Sequence, residues 1–286
     1  MPAIPKPARR GLQATARTVG RLTASMRMTP SFLIVGAKRA GTTSLYNTLA
    51  GHPQVLPAVL HKEVHYFDNG YLHGPAWYQG HFPTRAAAAL AERRTGKPVM
   101  TGEATPYYMW HPLAPQRIAT DLPEVHLVVL IRDPVQRAHS EHAHSVSNGW
   151  ETEQFERAVE LEAERLTGEV ERLLAEPGYR SLHHACHAYV TRGRYVEQLE
   201  RLEALVGRDR IHVIDSDALF LDAAPALDGL TAFLGLPPWQ PERLKNLNAR
   251  PRSSLAAGLQ ARLSAELAPY DERLADWLGW TPSWRR

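Results

Sequence analysis

The segment Phe32-Leu-Ile-Val-Gly-Ala-Lys-Arg-Ala-Gly-Thr-Thr-Ser44 constrains the fold most. Its apolar start, partly β-branched, has the length of a buried strand, and its second half combines two glycines, two cations and a hydroxyl cluster. A strand that runs through a Gly-bounded loop into a helix is a cradle for an anion. Loop N–H groups and the positive end of the helix converge on one point, and glycine lets the backbone approach with no Cβ in the way. The interval Gly36-x4-Gly41 is that of a Walker loop, but Thr42 stands where that pattern has Lys, and the cations sit inside the loop at Lys38 and Arg39. That weakens a nucleoside-triphosphatase reading. The plain alternative is an ordinary βα turn with surface charges.

A second run, Val125-His-Leu-Val-Val-Leu-Ile-Arg-Asp-Pro-Val-Gln-Arg-Ala-His-Ser140, is another buried strand ending in a charged turn, with Pro134 where a helix can begin. By itself Arg132 could equally pair with Asp133 or another acid at a strand terminus. Two anion-binding candidates at the carboxyl ends of two strands are harder to dismiss, because open α/β sheets bind ligands at that edge. A third segment, Lys62-Glu-Val-His-Tyr-Phe-Asp68, comes after the first helix. On pattern alone it is merely a charged turn before two aromatics.

These three segments together resemble the sulfotransferases that use 3′-phosphoadenosine 5′-phosphosulfate (PAPS), in particular the heparan-sulfate-type carbohydrate enzymes and related bacterial ones. The resemblance implies that Lys38, Arg39, Ala40, Gly41, Thr42 and Thr43 hold the 5′-phosphosulfate, with Arg39 where many animal members have Lys. Arginine can grip that group by a planar fork but is a poorer proton donor. It also implies that Arg132 and Ser140 take the 3′-phosphate, that Glu63 is the catalytic base, and that His65 and Lys62 accompany it. Other matches are weaker. Gly102-Glu-Ala-Thr-Pro-Tyr-Tyr108 corresponds to a Glu-Lys-Thr-Pro segment, with Ala104 in place of the Lys. Arg192-Gly-Arg-Tyr-Val-Glu-Gln-Leu199 makes Tyr195 a residue that closes the nucleotide site, or simply a core aromatic at a helix start. Arg250 and Arg252, in Lys245-Asn-Leu-Asn-Ala-Arg-Pro-Arg252, are candidates for a basic loop against the 3′-phosphate.

The expected fold is α/β, a three-layer P-loop-like arrangement with a central parallel sheet flanked by helices. Strands are expected at 31–37, 98–103, 126–131 and 211–215. Helices are expected at 41–50, 85–94, 113–120, 134–147, 155–175, 195–206, 224–234 and 255–278, an alternation that argues for a parallel sheet. With 286 residues, 44% of them hydrophobic, the chain can build one large core. The expectation is a single domain over 31–286, with a helical insertion on the substrate side around 150–190.

Residues 1–30 carry Lys6, Arg9, Arg10, Arg17, Arg21 and Arg27 and no acid. They read as a flexible basic arm, with a membrane-surface helix or a contact for an anionic acceptor as alternatives. No apolar run approaches the roughly 20 residues that span a bilayer. Cys186, the sole cysteine, allows no intramolecular disulfide, which suits a cytoplasmic enzyme, with peripheral membrane attachment as the variant. A net charge of +3 does not call for nucleic acid as a partner. His183, His184, His187, His142 and His144 lack a zinc-like spacing, so no metal is expected. The expected partners are PAPS, leaving as 3′-phosphoadenosine 5′-phosphate (PAP), and an unidentified acceptor. A P-loop phosphotransferase or a non-catalytic, membrane-recruited nucleotide-binding protein are the competing classes.

Overall fold

The computed structural model describes residues 15–241 and 255–286. Five parallel strands form one sheet in the order β2-β3-β1-β4-β5, where β1 is Phe32–Gly36, β2 Val55–Pro57, β3 Met100–Ala104, β4 His126–Ile131 and β5 Ile211–Asp215. β1 is buried throughout and β4 from its second residue on, the near-continuous apolar reading of strands covered on both faces. Four strands lie where the sequence predicts them. β2 was not expected: its three residues are too few to show a period, and Pro57 is tolerated because the strand is at the sheet edge.

Helices flank the sheet. Thr42–Leu49, Arg85–Thr95, Ala114–Asp121, Pro134–Ser147, Tyr195–Val206, Ala223–Phe233 and Ala257–Leu278 fall close to their expected ranges. The expected helix over 155–175 is instead three short ones, Phe155–Glu160, Glu162–Leu166 and Glu169–Ala175. Gly168 interrupts it at φ 75°, and the buried Glu162 carboxylate turns inward to accept from the N–H groups of Val190 (2.7 Å) and Thr191 (2.8 Å). A small second core, built on Val135, Ala138, Phe155, Ala158, Tyr189 and Leu263, seats this region against the Pro134–Ser147 and C-terminal helices.

The flexible-arm expectation for residues 1–30 does not hold over 15–30. Residues 15–22 are helical, Ala24 is buried, the Arg27 guanidinium donates to the Phe82 carbonyl (2.6 Å), and Arg27 pairs with Thr84 in an antiparallel bridge. Close backbone contact makes this packing possible, since a Cβ on Gly20 would lie 2.6 Å from the Gly80 carbonyl oxygen. Residues 1–14 lie outside the described residues. Among the described residues no helix is long and apolar enough to cross a membrane.

Candidate active site

From β1 the chain builds β2 and β3 on one side and then β4 and β5 on the other, so the loops after β1 and β4 part at the point where the strand order reverses. That is where a crevice opens at the carboxyl edge of such a sheet. The loop after β1 is pinned by Ala37 N–H to the Leu130 carbonyl (2.7 Å) and closed by Ala40 N–H to the Ala37 carbonyl (3.1 Å). Arg39 sits in the left-handed region at φ 72°, sparsely populated by non-glycine residues. Gly41 caps the Thr42–Leu49 helix at φ 97°, and Met109 approaches Gly36 so closely that a Cβ there would be 2.7 Å from its sulfur. At Thr42 and Thr43 the helix begins, with N–H groups that have no earlier turn to donate to.

The two cations of this loop diverge. Arg39 Nε donates to Ser140 Oγ (3.2 Å), joining the first anion-binding candidate to the second across a sequence separation of about a hundred residues. Lys38 turns inward: its ammonium donates to the Ala185 carbonyl (2.8 Å) and pairs with Glu141 (3.1 Å). Glu141 is fully buried and also meets Arg137 and Arg192, so one carboxylate faces three cations. Burial alone would raise its pKa, but Arg192, Lys38 and Arg137 hold it down at about 2. Arg137 further donates to the Tyr189 carbonyl and Arg192 to that of His184 (2.6 Å), which ties the loop after β1 to the 182–192 segment.

Arg132, at the end of β4, does not pair with Asp133. That carboxylate caps the Pro134–Ser147 helix, accepting from the N–H groups of Val135 and Gln136. The nearest acid to Arg132 is Asp217, 3.6 Å from its Nε, and this buried Nε has no hydrogen-bond partner. Tyr195 is buried at the start of its helix, where its hydroxyl donates to the Arg132 carbonyl (2.8 Å).

The 62–68 segment lies against β3, held by Ala104 N–H to the Lys62 carbonyl (2.8 Å). Side chains at the end of β3 and in the turn after it then receive the N–H groups of residues 64–66: Val64 donates to Glu103 (3.0 Å), His65 to Thr105 (3.4 Å) and Tyr66 to Tyr108 (2.9 Å). Thr105 and Tyr108 in turn donate their hydroxyls to Glu103 (2.5 and 2.9 Å). Burial lifts Glu103 to about 7 against those hydrogen bonds. This cradle holds His65 at φ 56°.

Glu63, whose side chain is 40% exposed, contacts the Lys62 ammonium and lies 3.6 Å from His65 Nε2. His65 Nδ1 bonds Asp68 (2.6 Å) on its other side. Burial would raise the Glu63 carboxyl, but His65 and Lys62 draw it down to about 2. Burial would likewise lower the imidazole, yet its bonds to Asp68 and Glu63 lift it to about 10. Near neutral pH the site therefore presents an ionised carboxylate beside an imidazolium. Two carboxyls on one wall are thus pushed apart, Glu63 toward the charged form and Glu103 toward the neutral one.

Of the residues picked out in the sequence, Arg39 and Ser140 touch, Glu63 and His65 form one cluster, and Arg132 and Tyr195 share a contact. Arg250 and Arg252 lie outside the described residues. Sequence reasoning missed Glu141, Arg137 and Arg192, as well as the Glu103–Thr105–Tyr108 cradle. The Arg137–Glu141 spacing of four on one helix was a visible signal. Among the described residues no cluster of His, Cys, Asp and Glu is arranged to hold a metal ion. His183 and His187 instead meet through their Nδ1 atoms (2.9 Å), and His184 bonds the Tyr107 hydroxyl (2.8 Å).

Among known proteins, the family described as the sulfotransferase domain matches residues 29–250. Heparan sulfate glucosamine 3-O-sulfotransferase 6 of Mus musculus is 40% identical over 121 residues, 42% of this chain and 32% of that protein. The membrane-associated sulfotransferase kil1 of Dictyostelium discoideum is 35% identical over 117 residues, 41% of this chain and 23% of its own length. The chain thus spans a third or less of the first curated relatives it matches. A solved sulfotransferase from Alicyclobacillus acidocaldarius superimposes with a TM-score of 0.66 at 26% identity, covering 91% of this chain and all of the other. The chain belongs to the sulfotransferase family.

Proposed function

We propose that the protein moves a sulfuryl group from PAPS to a hydroxyl or amine of an acceptor, releasing PAP. The observation that carries this reading is the Arg39–Ser140 contact, which brings the loop after β1 and the helix after β4 to one crevice, with an ionised Glu63 on the same sheet edge. The residues suit a doubly anionic nucleotide. The Thr42–Leu49 helix N-terminus and the fork of Arg39 would meet the 5′-phosphosulfate, and Arg132, whose buried Nε makes no hydrogen bond, and Ser140 the 3′-phosphate. Lys38, engaged by Glu141 and Ala185, tethers the loop and contributes its charge at one remove.

Glu63 is the general base. It takes the proton of the acceptor hydroxyl as the acceptor oxygen bonds to sulfur and the bond from sulfur to the phosphate oxygen breaks, leaving the electron pair on PAP. Arg39 stabilises the charge that grows on that leaving oxygen, which lowers the barrier more than it stabilises bound donor. Glu103 is excluded as the base because it is fully buried behind the segment, whereas Glu63 is accessible. Asp68 holds the His65 ring, and His65 keeps Glu63 ionised. Residues 31–286 act as one domain in this reading, the 150–190 region covers the acceptor side, and the acceptor is a carbohydrate, a glycolipid or a small metabolite. Isothermal titration tests the nucleotide part: PAP should bind and ATP should not compete. Equal affinity for the two would replace this reading with a phosphotransferase. Incubation with labelled PAPS and host-cell extract, followed by mass spectrometry, would identify the acceptor.

A further inference from the structure

Cations precede any anion in this chain, whose first acidic residue is Glu63. On the helix over 15–22 and the turn after it, Val19, Leu22 and Met26 recur at intervals of three and four and stand 49%, 80% and 62% exposed. Val59, 57% exposed, continues the apolar surface. Val59 and Leu60 meet Ala16, Val19 and Gly80 in a groove of about 380 Å³ with Arg27 at its side. Arg17 and Arg21 are exposed on the same helix and make no ion pair among the described residues. The apolar ridge shares the exposed arc of this helix with Arg21, about 100° around from Leu22, while Gly20 packs on Gly80, which makes a poor surface for water and a good one for an anionic interface.

We propose that this ridge docks the protein on an anionic lipid bilayer. Val19, Leu22, Met26 and Val59 enter the boundary between headgroups and acyl chains, while Arg21, on the adjoining part of the exposed arc, meets lipid phosphates. Docking is independent of the role given to Glu63, but its consequence for substrate rests on that reading. Leu60 and Glu63 are three residues apart, a chain reach of at most about 11 Å, so the base lies close to the docked surface. The acceptor hydroxyl is then one carried by a membrane-embedded molecule.

Co-sedimentation of the full chain with phosphatidylcholine vesicles, with and without phosphatidylglycerol, tests the docking. Binding should require phosphatidylglycerol and weaken with salt. Arg21→Gln should cost roughly fivefold in vesicle affinity. The double variant Leu22→Glu, Met26→Glu should cost about tenfold or more. PAP titration on the same variants verifies the fold, since these positions are exposed and none is assigned a nucleotide contact. No binding by the parent overturns the proposal. So does binding that the Leu22 and Met26 changes leave intact while deletion of residues 1–14 abolishes it, because residues 1–14 alone would then be responsible. A parent dimer that these changes dissociate, with no vesicle binding, assigns the ridge to a second copy of the chain instead. Vesicle binding that fails while PAP binding persists refutes docking and leaves the sulfuryl-transfer reading standing.

Discussion

Replacing Glu141 by Gln keeps the shape of the side chain and removes the charge that Lys38, Arg137 and Arg192 share. No cavity forms, so the cost is electrostatic. Removing one partner of a buried ion pair typically costs about 3–5 kcal/mol, because the other charge stays buried and uncompensated. Arg137, Arg192 and Lys38 keep the carbonyls of Tyr189, His184 and Ala185, which solvates them in part and argues for the lower end of that range. At about 2–4 °C per kcal/mol for chains approaching this size, that lower end of about 3 kcal/mol should bring the melting temperature down by about 6–12 °C. Scanning calorimetry of parent and variant measures this directly. Salt should restore little, since the network is out of reach of mobile ions. The pH dependence has a definite sign: the folded carboxyl lies at about 2, below its ordinary 4.5, so the parent's advantage is complete above about pH 4.5 and vanishes as pH falls through about 2. A variant melting within about 2 °C of the parent at neutral pH would refute the network as a structural element.

Arg132→Ala should weaken PAP by roughly one to two decades, the value of a charge-assisted contact, while adenosine 5′-phosphosulfate, which lacks the 3′-phosphate, loses little in the same titration. Glu103→Gln should lower kcat while the KM for PAPS and PAP affinity stay near parental values, because Gln cannot accept from Val64, Thr105 and Tyr108 together; an unchanged kcat would show that the cradle does not position the base. Lys62→Gln should move the acidic limb of kcat/KM to higher pH, since losing a cation beside Glu63 disfavours its charged form; a limb that stays in place or moves down assigns the titration to another group.

How much of this was legible in the sequence depended on how local each feature is. The loop from Gly36 to Gly41 and the turn at Arg132-Asp-Pro134 announced themselves because a buried strand, a special backbone position and a helix start are adjacent in the chain. The Glu141 network was invisible because Lys38, Glu141 and Arg192 are brought together only when the loop after β1, the helix after β4 and the 182–192 segment pack. The Glu103 cradle was passed over for the same reason. Its three acceptors look like a weakly matching turn until β3 lies beside residues 62–66. At the N-terminus, a composition of Arg, Ala and Thr without acids reads as an arm, yet two glycines sixty positions apart let residues 15–27 pack. Helix periodicity over 155–175 concealed the inward turn of Glu162.

The central claim, that Glu63 is the general base of sulfuryl transfer, is tested most directly by single-turnover kinetics of Glu63→Gln on the acceptor identified by PAPS labelling. Gln preserves shape and most polar contacts but cannot take the proton, so turnover should fall by roughly two to four decades, while PAP affinity, which we assign to Arg39, Arg132 and Ser140, stays within a few-fold. A variant that retains more than about a tenth of parental turnover, with chemistry shown to be rate-limiting, would contradict the assignment and make His65 the next residue to change.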